Sequence, residues 1–291
     1  MGQTAQLVSH LDLLHIRLVG GFLLLNPRAG EEQPRANELG AKAERRGVRV
    51  HRLRPGDDPV TLARDAEANI LGVAGGDGSL AAVAAVAVER DLPFVCVPYG
   101  TRNHFARDLG LDRTDPIAAL DAFDGFERPI DVGRVNGVPF LNNVSLGIYA
   151  RLVHRRERQR RRREALARLR ALWLAGLNPR RLSASVDGVP VSARAILVAN
   201  NAYELALFSV GERARLDEGK LYVYVARGVL PNDWDTQAAE TLTVDVRPGV
   251  VAAAIDGEPA ELESPLRFAV EPRALRILLP AARMAATDRG A

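Results

Sequence analysis

Two short stretches of this chain place small and polar residues where a phosphate-bearing ligand would need them. The first is Gly75-Gly76-Asp77-Gly78-Ser79, which follows an apolar run ending at Ala74 and precedes an Ala/Val-rich segment of high helix propensity. Glycines at such a junction allow tight turns and let a ligand approach the backbone. The helix start behind them offers free N–H groups and a partial positive charge, a natural phosphate site. Asp77 is the odd member, because a carboxylate repels phosphate. It makes chemical sense if it meets a metal ion or accepts a proton from an attacking hydroxyl. The bland alternative is an ordinary strand-to-helix turn with Asp77 near the helix start. The second stretch, PYGTRNHFAR at 98–107, also follows an apolar run. After Gly100 it carries Thr101 and Asn103, a hydroxyl and an amide at an expected helix start, suited either to capping the helix or to holding phosphate or adenine. Two such turns in succession point to one shared ligand.

Common nucleotide motifs fail on inspection. Gly219-Lys220 is the one Gly-Lys pair, but Ala214 stands where a P-loop needs its first glycine and Leu221 follows the lysine. No G-x-G-x-x-G opens a strand-helix-strand unit, and protein-kinase loop signatures are absent.

The elements that must carry these turns follow from the pattern around them. Over the first 125 residues apolar strand-like runs (22–25, 48–53, 70–74, 94–97) alternate with helix-like segments, among them one reaching Arg46, one over 61–68 and one over 80–90. That rhythm predicts a parallel sheet flanked by helices. After Asp131 the pattern changes. Asn136-Gly137, Asp187-Gly188 and Asp256-Gly257 are hairpin signals between strand-like stretches. Runs at 191–198, 221–225, 242–246 and 275–279 are rich in β-branched or aromatic residues. The expected fold is α/β followed by β: a Rossmann-like N-terminal nucleotide-binding domain over 1–130, then a mostly antiparallel β-sandwich over 131–291. Residues 281–291 either return to the first domain or remain loose.

Composition narrows the class. The chain has 291 residues, 47% hydrophobic and 26% charged, the balance of a globular protein. No apolar run approaches the roughly 18 residues of a spanning helix, and the N-terminus reads poorly as a signal peptide, having no basic start and Asp12 within its apolar stretch. A single cysteine, Cys96, excludes an internal disulfide. A cytoplasmic location is expected. The net charge of +3 hides an asymmetry: residues 151–170 carry ten arginines against Glu157 and Glu164, a local +8, leaving −5 for the rest. The arginine run of that segment, at 155–163, followed by Leu166, Leu169, Leu172, Trp173 and Leu177 at near-helical spacing, is either a solvated helix or a peripheral contact with an anionic membrane. Nucleic acid fits less well, since aromatics are few and no binding motif accompanies the arginines.

Taken together, NPRAG at 26–30, GGDGS at 75–79 and PYGTRNHFAR at 98–107 resemble the diacylglycerol kinase catalytic domain, the bacterial lipid kinases related to sphingosine kinase. DVGRVNGVPFLN at 131–142, the acidic turn LDEGKL at 216–221 and Asp256-Gly257-Glu258 fit the same family in the same order. The resemblance implies ATP and Mg²⁺ as cofactors. It implies that Gly75, Gly76, Gly78 and Ser79 hold the ATP phosphates, with Asn26, Gly100, Thr101 and Asn103 lining the nucleotide site. Asp77 would meet magnesium or the reacting phosphate. Asp217 and Glu218 would belong to a metal network, to which Arg215 and Lys220 give only backbone carbonyls. Asp256 and Glu258 would face the site, with Glu258 or Asp77 as the general base. Three positions depart from the family: Glu218 where a second Asp is frequent, His104 where an Asp is frequent, and Lys220 where the residue is often apolar.

The expected activity is transfer of the γ-phosphoryl group to a lipid hydroxyl, diacylglycerol first. The alternatives are a kinase for a soluble substrate such as NAD, since GGDG is shared, and a nucleotide- or lipid-binding protein without transfer chemistry. Asp77→Asn is expected to abolish turnover with thermal stability nearly unchanged. An exposed edge in the β domain is an expected route to a homodimer.

Overall fold

The structure, a computed structural model, describes residues 20–30, 35–100, 103–147, 181–206, 209–210, 212–228, 234–247 and 249–281. The chain divides into two compact units, one running to Pro129 and taking up the chain again from Leu275, the other being Ile130–Ala274.

In the first unit β1 (Gly21–Leu25), α1 (Ala36–Arg45), β2 (Arg49–Arg52), α2 (Pro59–Asp65), β3 (Ile70–Gly75), α3 (Asp77–Glu89), β4 (Phe94–Pro98) and α4 (His104–Asp108) follow one another. A 3-10 turn, Ala118–Asp124, closes the series. The strands are parallel in the order β2-β1-β3-β4. Their near-continuous apolar sequences suit strands covered on both faces. Leu23, Leu25, Ala74, Val95 and Val97 pack with Leu39 and Ala43 of α1 and with Phe123, while the alternating Leu24, Val73 and Cys96 are equally buried. The helix expected over 61–68 runs instead from Pro59 to Asp65. Its start is fixed by Asp58, whose carboxylate accepts from the backbone N–H of Val60 and Thr61 at 3.2 and 3.1 Å, and by proline at the first helical position. Its end is fixed by Arg90, whose guanidinium donates to the carbonyls of Ala63 and Ala66, both at 2.8 Å.

The second unit begins within β5 (Phe126–Val135) and continues with β6 (Val138–Phe140), β7 (Asn143–Gly147), β8 (Leu182–Val186), β9 (Val189–Ala193), β10 (Ala195–Asn200), the short β11 (Leu205–Ala206) and β12 (Ser209–Val210), β13 (Leu221–Ala226), β14 (Trp234–Ala239), β15 (Thr241–Val246), β16 (Val250–Ile255), β17 (Glu258–Glu263) and most of β18 (Leu266–Leu279). One antiparallel sheet runs β14-β13-β10-β7-β16-β17. Opposite it lie β9, β8, β15 and the start of β18, with β5 and β6. Val144, Leu146, Ile196, Val198 and Val223 of the first sheet pack with Val135, Val186, Val244 and Phe268 of the other, giving a β-sandwich core. Each expected Asx-Gly turn has both central residues at positive φ: +48° and +83° at Asn136-Gly137, +48° and +82° at Asp187-Gly188, +49° and +85° at Asp256-Gly257. These are the dihedral signs of a type I′ hairpin.

The fold is therefore a parallel α/β unit with an antiparallel β-sandwich unit, as the sequence predicts. β18 serves both. Its first residues pair with β15 in the second unit, and Ile277 and Leu278 pair in parallel with Phe94 and Val95 of β4 in the first. Among the described residues no helix is long and apolar enough to cross a membrane. The basic segment 151–170 and the leucines after it lie outside the described residues, as do Thr101 and 282–291.

Candidate active site

Three loops of the first unit leave the carboxyl ends of adjacent parallel strands, where open α/β sheets place their ligands. Asn26 follows β1. Its N–H donates to the Ala74 carbonyl at 2.8 Å, and its side-chain oxygen accepts from the Arg28 N–H at 3.1 Å. That ties the first loop to the end of β3 and curls it into a turn. Gly75 and Gly76 end β3 and start α3, and the Tyr99 N–H reaches across to the Gly75 carbonyl at 3.3 Å. Gly100 and Asn103 exchange two bonds, Gly100 N–H to Asn103 Oδ1 at 3.0 Å and Asn103 Nδ2 to the Gly100 carbonyl at 2.6 Å. Asn103 is buried and left-handed, with φ +49°, a conformation asparagine tolerates better than most side chains.

The second and third loops touch. A Cβ on Gly100 would stand 2.5 Å from the Cα of Gly76, whereas a Cβ on Gly76 would have nothing nearer than 4.0 Å. Gly76 is also the cap residue of α3 and, having no side chain, makes no side-chain cap to the first turn of that helix. The first-turn N–H groups of an α-helix have no partner within it. An uncapped helix start beside a glycine with free space suits nucleotide phosphates, and Ser79 lies within its first turn.

Asp77 opens α3, yet its carboxylate is turned towards the start of α4. Oδ2 accepts from the His104 N–H and Oδ1 from the Phe105 N–H, both at 3.3 Å. One acid thus links the two ligand-type loops. These bonds change the expectation that Asp77→Asn leaves stability untouched, because an amide offers one acceptor oxygen where the carboxylate offers two. Nearby, burial pushes the Cys96 thiol up, with the Asp77 charge adding to the effect, so this cysteine is a core residue.

The second unit gathers the acidic turn. Asp217 accepts from Arg215 Nε at 3.2 Å. The Glu218 carboxylate accepts from the Ala202 N–H at 3.4 Å and hydrogen-bonds Tyr222. Burial, then that bond, push the Tyr222 phenol up. Buried Asp131 holds the same turn, taking the Gly219 N–H at 2.6 Å and the Arg273 N–H at 2.9 Å, while its own N–H donates to the Leu216 carbonyl at 2.8 Å. The Lys220 carbonyl accepts from the Asn201 N–H at 3.0 Å, which leaves it a second lone pair. Among the described residues no three His, Cys, Asp or Glu side chains group as a metal cage. Two carboxylates plus the Arg215 and Lys220 carbonyls are an all-oxygen set. It fits a hard cation that keeps several waters, as Mg²⁺ does, and not a zinc-type ion.

Asp256 and Glu258 differ although two residues apart. Asp256 is buried, and its carboxylate accepts from three backbone N–H groups: Leu141 at 2.8 Å, Asn142 at 2.7 Å and Asn143 at 3.0 Å. Burial pushes its carboxyl from 3.8 up to about 6, the three amides and Arg213 pulling the other way. Its three carboxylate bonds hold residues 141–143, the entry into β7. Glu258 begins β17 opposite Ile255 and is exposed, and among the described residues its carboxylate has no partner. A free carboxylate there is available to take up a proton.

Sequence reasoning passed over Asp131, Asn200, Asn201 and Arg213 as site residues. All four are buried. The Arg213 guanidinium donates to the carbonyls of Leu141 and Asn200 and to the side-chain oxygen of Asn142, at 2.7, 2.9 and 2.6 Å. An Asn-Asn pair ending a strand was the one available signal, while Arg213 is indistinguishable in sequence from its many exposed counterparts.

The chain thus carries a glycine-rich strand-to-helix loop in its α/β unit and an acidic turn in its β-sandwich unit. The signature of the diacylglycerol kinase catalytic domain matches residues 21–135. A relative described as a probable lipid kinase YegS-like, from Pseudomonas aeruginosa, is 30% identical over 292 residues, covering 89% of this chain and 94% of its own length. A diacylglycerol kinase of Bacillus subtilis is 32% identical over 142 residues, 45% of this chain and 47% of that protein. The crystal structure of a putative diacylglycerol kinase from Bacillus anthracis superimposes with a TM-score of 0.68 at 19% identity, covering 90% of this chain and 98% of that one. The chain belongs to the diacylglycerol kinase catalytic-domain family. The relatives described as a probable lipid kinase and as a diacylglycerol kinase make this a lipid-kinase family of phosphotransferases.

Proposed function

We propose that the protein is an ATP- and Mg²⁺-dependent lipid kinase that moves the γ-phosphoryl group to a lipid hydroxyl, with diacylglycerol the first substrate to test. The observation that carries this reading is the junction of 75–79 with 98–108, where an uncapped helix start adjoins free space at Gly76 and Asp77 ties both loops. The N–H groups of Gly78 and Ser79 orient the phosphates, and Asn26, Thr101 and Asn103 line the nucleotide. Asp217, Glu218 and the carbonyls of Arg215 and Lys220 would hold Mg²⁺, which would supply charge neutralisation for phosphoryl transfer. The hydroxyl proton passes to Glu258 or Asp77. Asp256 acts through the backbone it holds. Residues 151–170 draw the enzyme to anionic lipid, from which such a substrate must be collected.

The test is transfer of labelled γ-phosphate from ATP, with Mg²⁺, to lipid hydroxyls in mixed micelles, with NAD as a soluble control. Label in diacylglycerol or a related lipid, lost in Asp77→Asn, is expected. Label in NAD alone, or none despite ATP binding, overturns the reading.

A further inference from the structure

The acidic turn is held by Asp131, at the Gly219 N–H, and separately by Asn201. Asn201 follows β10, has no exposed surface and stands at φ +68°, in the left-handed region. Its side-chain oxygen accepts from the Glu218 N–H at 2.8 Å, and its own N–H donates to the Lys220 carbonyl at 3.0 Å. Its amide nitrogen donates to Asn200 Oδ1 at 3.4 Å. Asn200 in turn is fixed by donating to the carbonyls of Asp131 and Leu141 at 2.8 and 3.2 Å. Next in sequence, the Ala202 N–H reaches Glu218 Oε2 at 3.4 Å.

We propose that Asn201 is a positioning residue: by holding the backbone of Glu218 and the carbonyl of Lys220 at once, it sets the spacing of the oxygen donors around the divalent cation. The inference rests on the reading of that turn as the cation site. A left-handed backbone is needed here, because it lets one residue present its N–H and its side-chain oxygen to two points of the same turn. Asparagine is among the few side chains that adopt it at little cost. Mg²⁺ demands near-ideal geometry from few protein ligands, so a turn free to spread binds it more weakly. Outer groups that orient metal ligands are worth about 10–100-fold in affinity.

The replacement Asn201→Gly keeps the backbone conformation, since glycine is at ease at positive φ, and removes only the side-chain tie. With Mn²⁺ as the probe, followed by loss of the free-ion electron paramagnetic resonance signal in the absence of nucleotide, its dissociation constant is expected to rise about tenfold. In turnover assays the Mg²⁺ concentration for half-maximal rate rises similarly, while kcat at saturating Mg²⁺ changes little. A purely structural role would lower the melting temperature without this split. Unchanged Mn²⁺ affinity in folded Asn201→Gly overturns the proposal. Asn201→Asp keeps an acceptor for the Glu218 N–H but turns its second oxygen towards Asn200 Oδ1, where the amide nitrogen donated, so its Mn²⁺ affinity is expected to lie between those of the parent and Asn201→Gly; where the glycine variant fails to fold, a dissociation constant of folded Asn201→Asp raised by more than about tenfold overturns the proposal. Glu218→Gln separates the two readings. If it weakens Mn²⁺ binding and Asn201→Gly does not, only the positioning role falls; if neither does, the cation reading of the turn falls with it.

Discussion

Asp77 meets the backbone of a helix that starts 27 residues after it. Its effect on stability is therefore separable from its effect on turnover. Asp77→Asn should abolish phosphoryl transfer and also cost about 1 kcal/mol, the usual cost of losing a helix-capping acceptor; denaturant melts of parent and variant measure the second part. Asp256 makes the opposite kind of prediction. Unfolded it titrates at its ordinary 3.8, folded at about 6, so between these values the folded chain holds a proton that the unfolded chain has lost. Its contribution is full below about pH 4 and fades as pH rises through 6, by about 3 kcal/mol. The stability difference between the parent and Asp256→Asn should therefore turn against the parent over that interval in urea unfolding. A pH-independent difference would contradict this assignment.

The loops at the strand ends are set by how closely backbones approach. Gly100→Ala puts a methyl group 2.5 Å from the Gly76 Cα, and backbone on both sides cannot step aside cheaply. A loss of about 1–3 kcal/mol is expected, together with weaker binding of a fluorescent ATP analogue. Full affinity in a destabilised variant would detach these loops from the nucleotide. Much of this level is legible in the sequence. Apolar runs stopped by Gly75 and by Pro98 mark β3 and β4, and three Asx-Gly pairs mark hairpins, because each signal is local. What is not legible is long-range: the carboxylate of Asp256 serves amides 113–115 residues away, and no local pattern distinguishes it from a hairpin aspartate facing water. The edge strand β17 carries Pro259 with Glu258, Glu261 and Glu263. Proline and repeated charge guard such an edge against pairing with a copy.

Across the whole molecule, charge is concentrated in a segment that no local packing argument covers. Replacing four of the arginines within 155–163 by glutamine should weaken binding to anionic vesicles and flatten its salt dependence. Flotation at two ionic strengths decides it, and unchanged, salt-insensitive binding removes the membrane role. The arrangement of strands has a further meaning for how the molecule is made. β4 lies between β3 and the end of β18, so Phe94 finds its second neighbour only in Ile277. A ribosome delivers Phe94 long before Ile277, and the α/β unit, although it comes first in the chain, cannot complete its sheet until the whole of Ile130–Ala274 has been synthesised. Until then β4 presents an open edge to the cytosol of the synthesising cell. The two units therefore complete their sheets almost together, the β-sandwich when Leu266–Ala269 reach β15 and the α/β unit when Ile277 and Leu278, shortly after in the chain, reach β4.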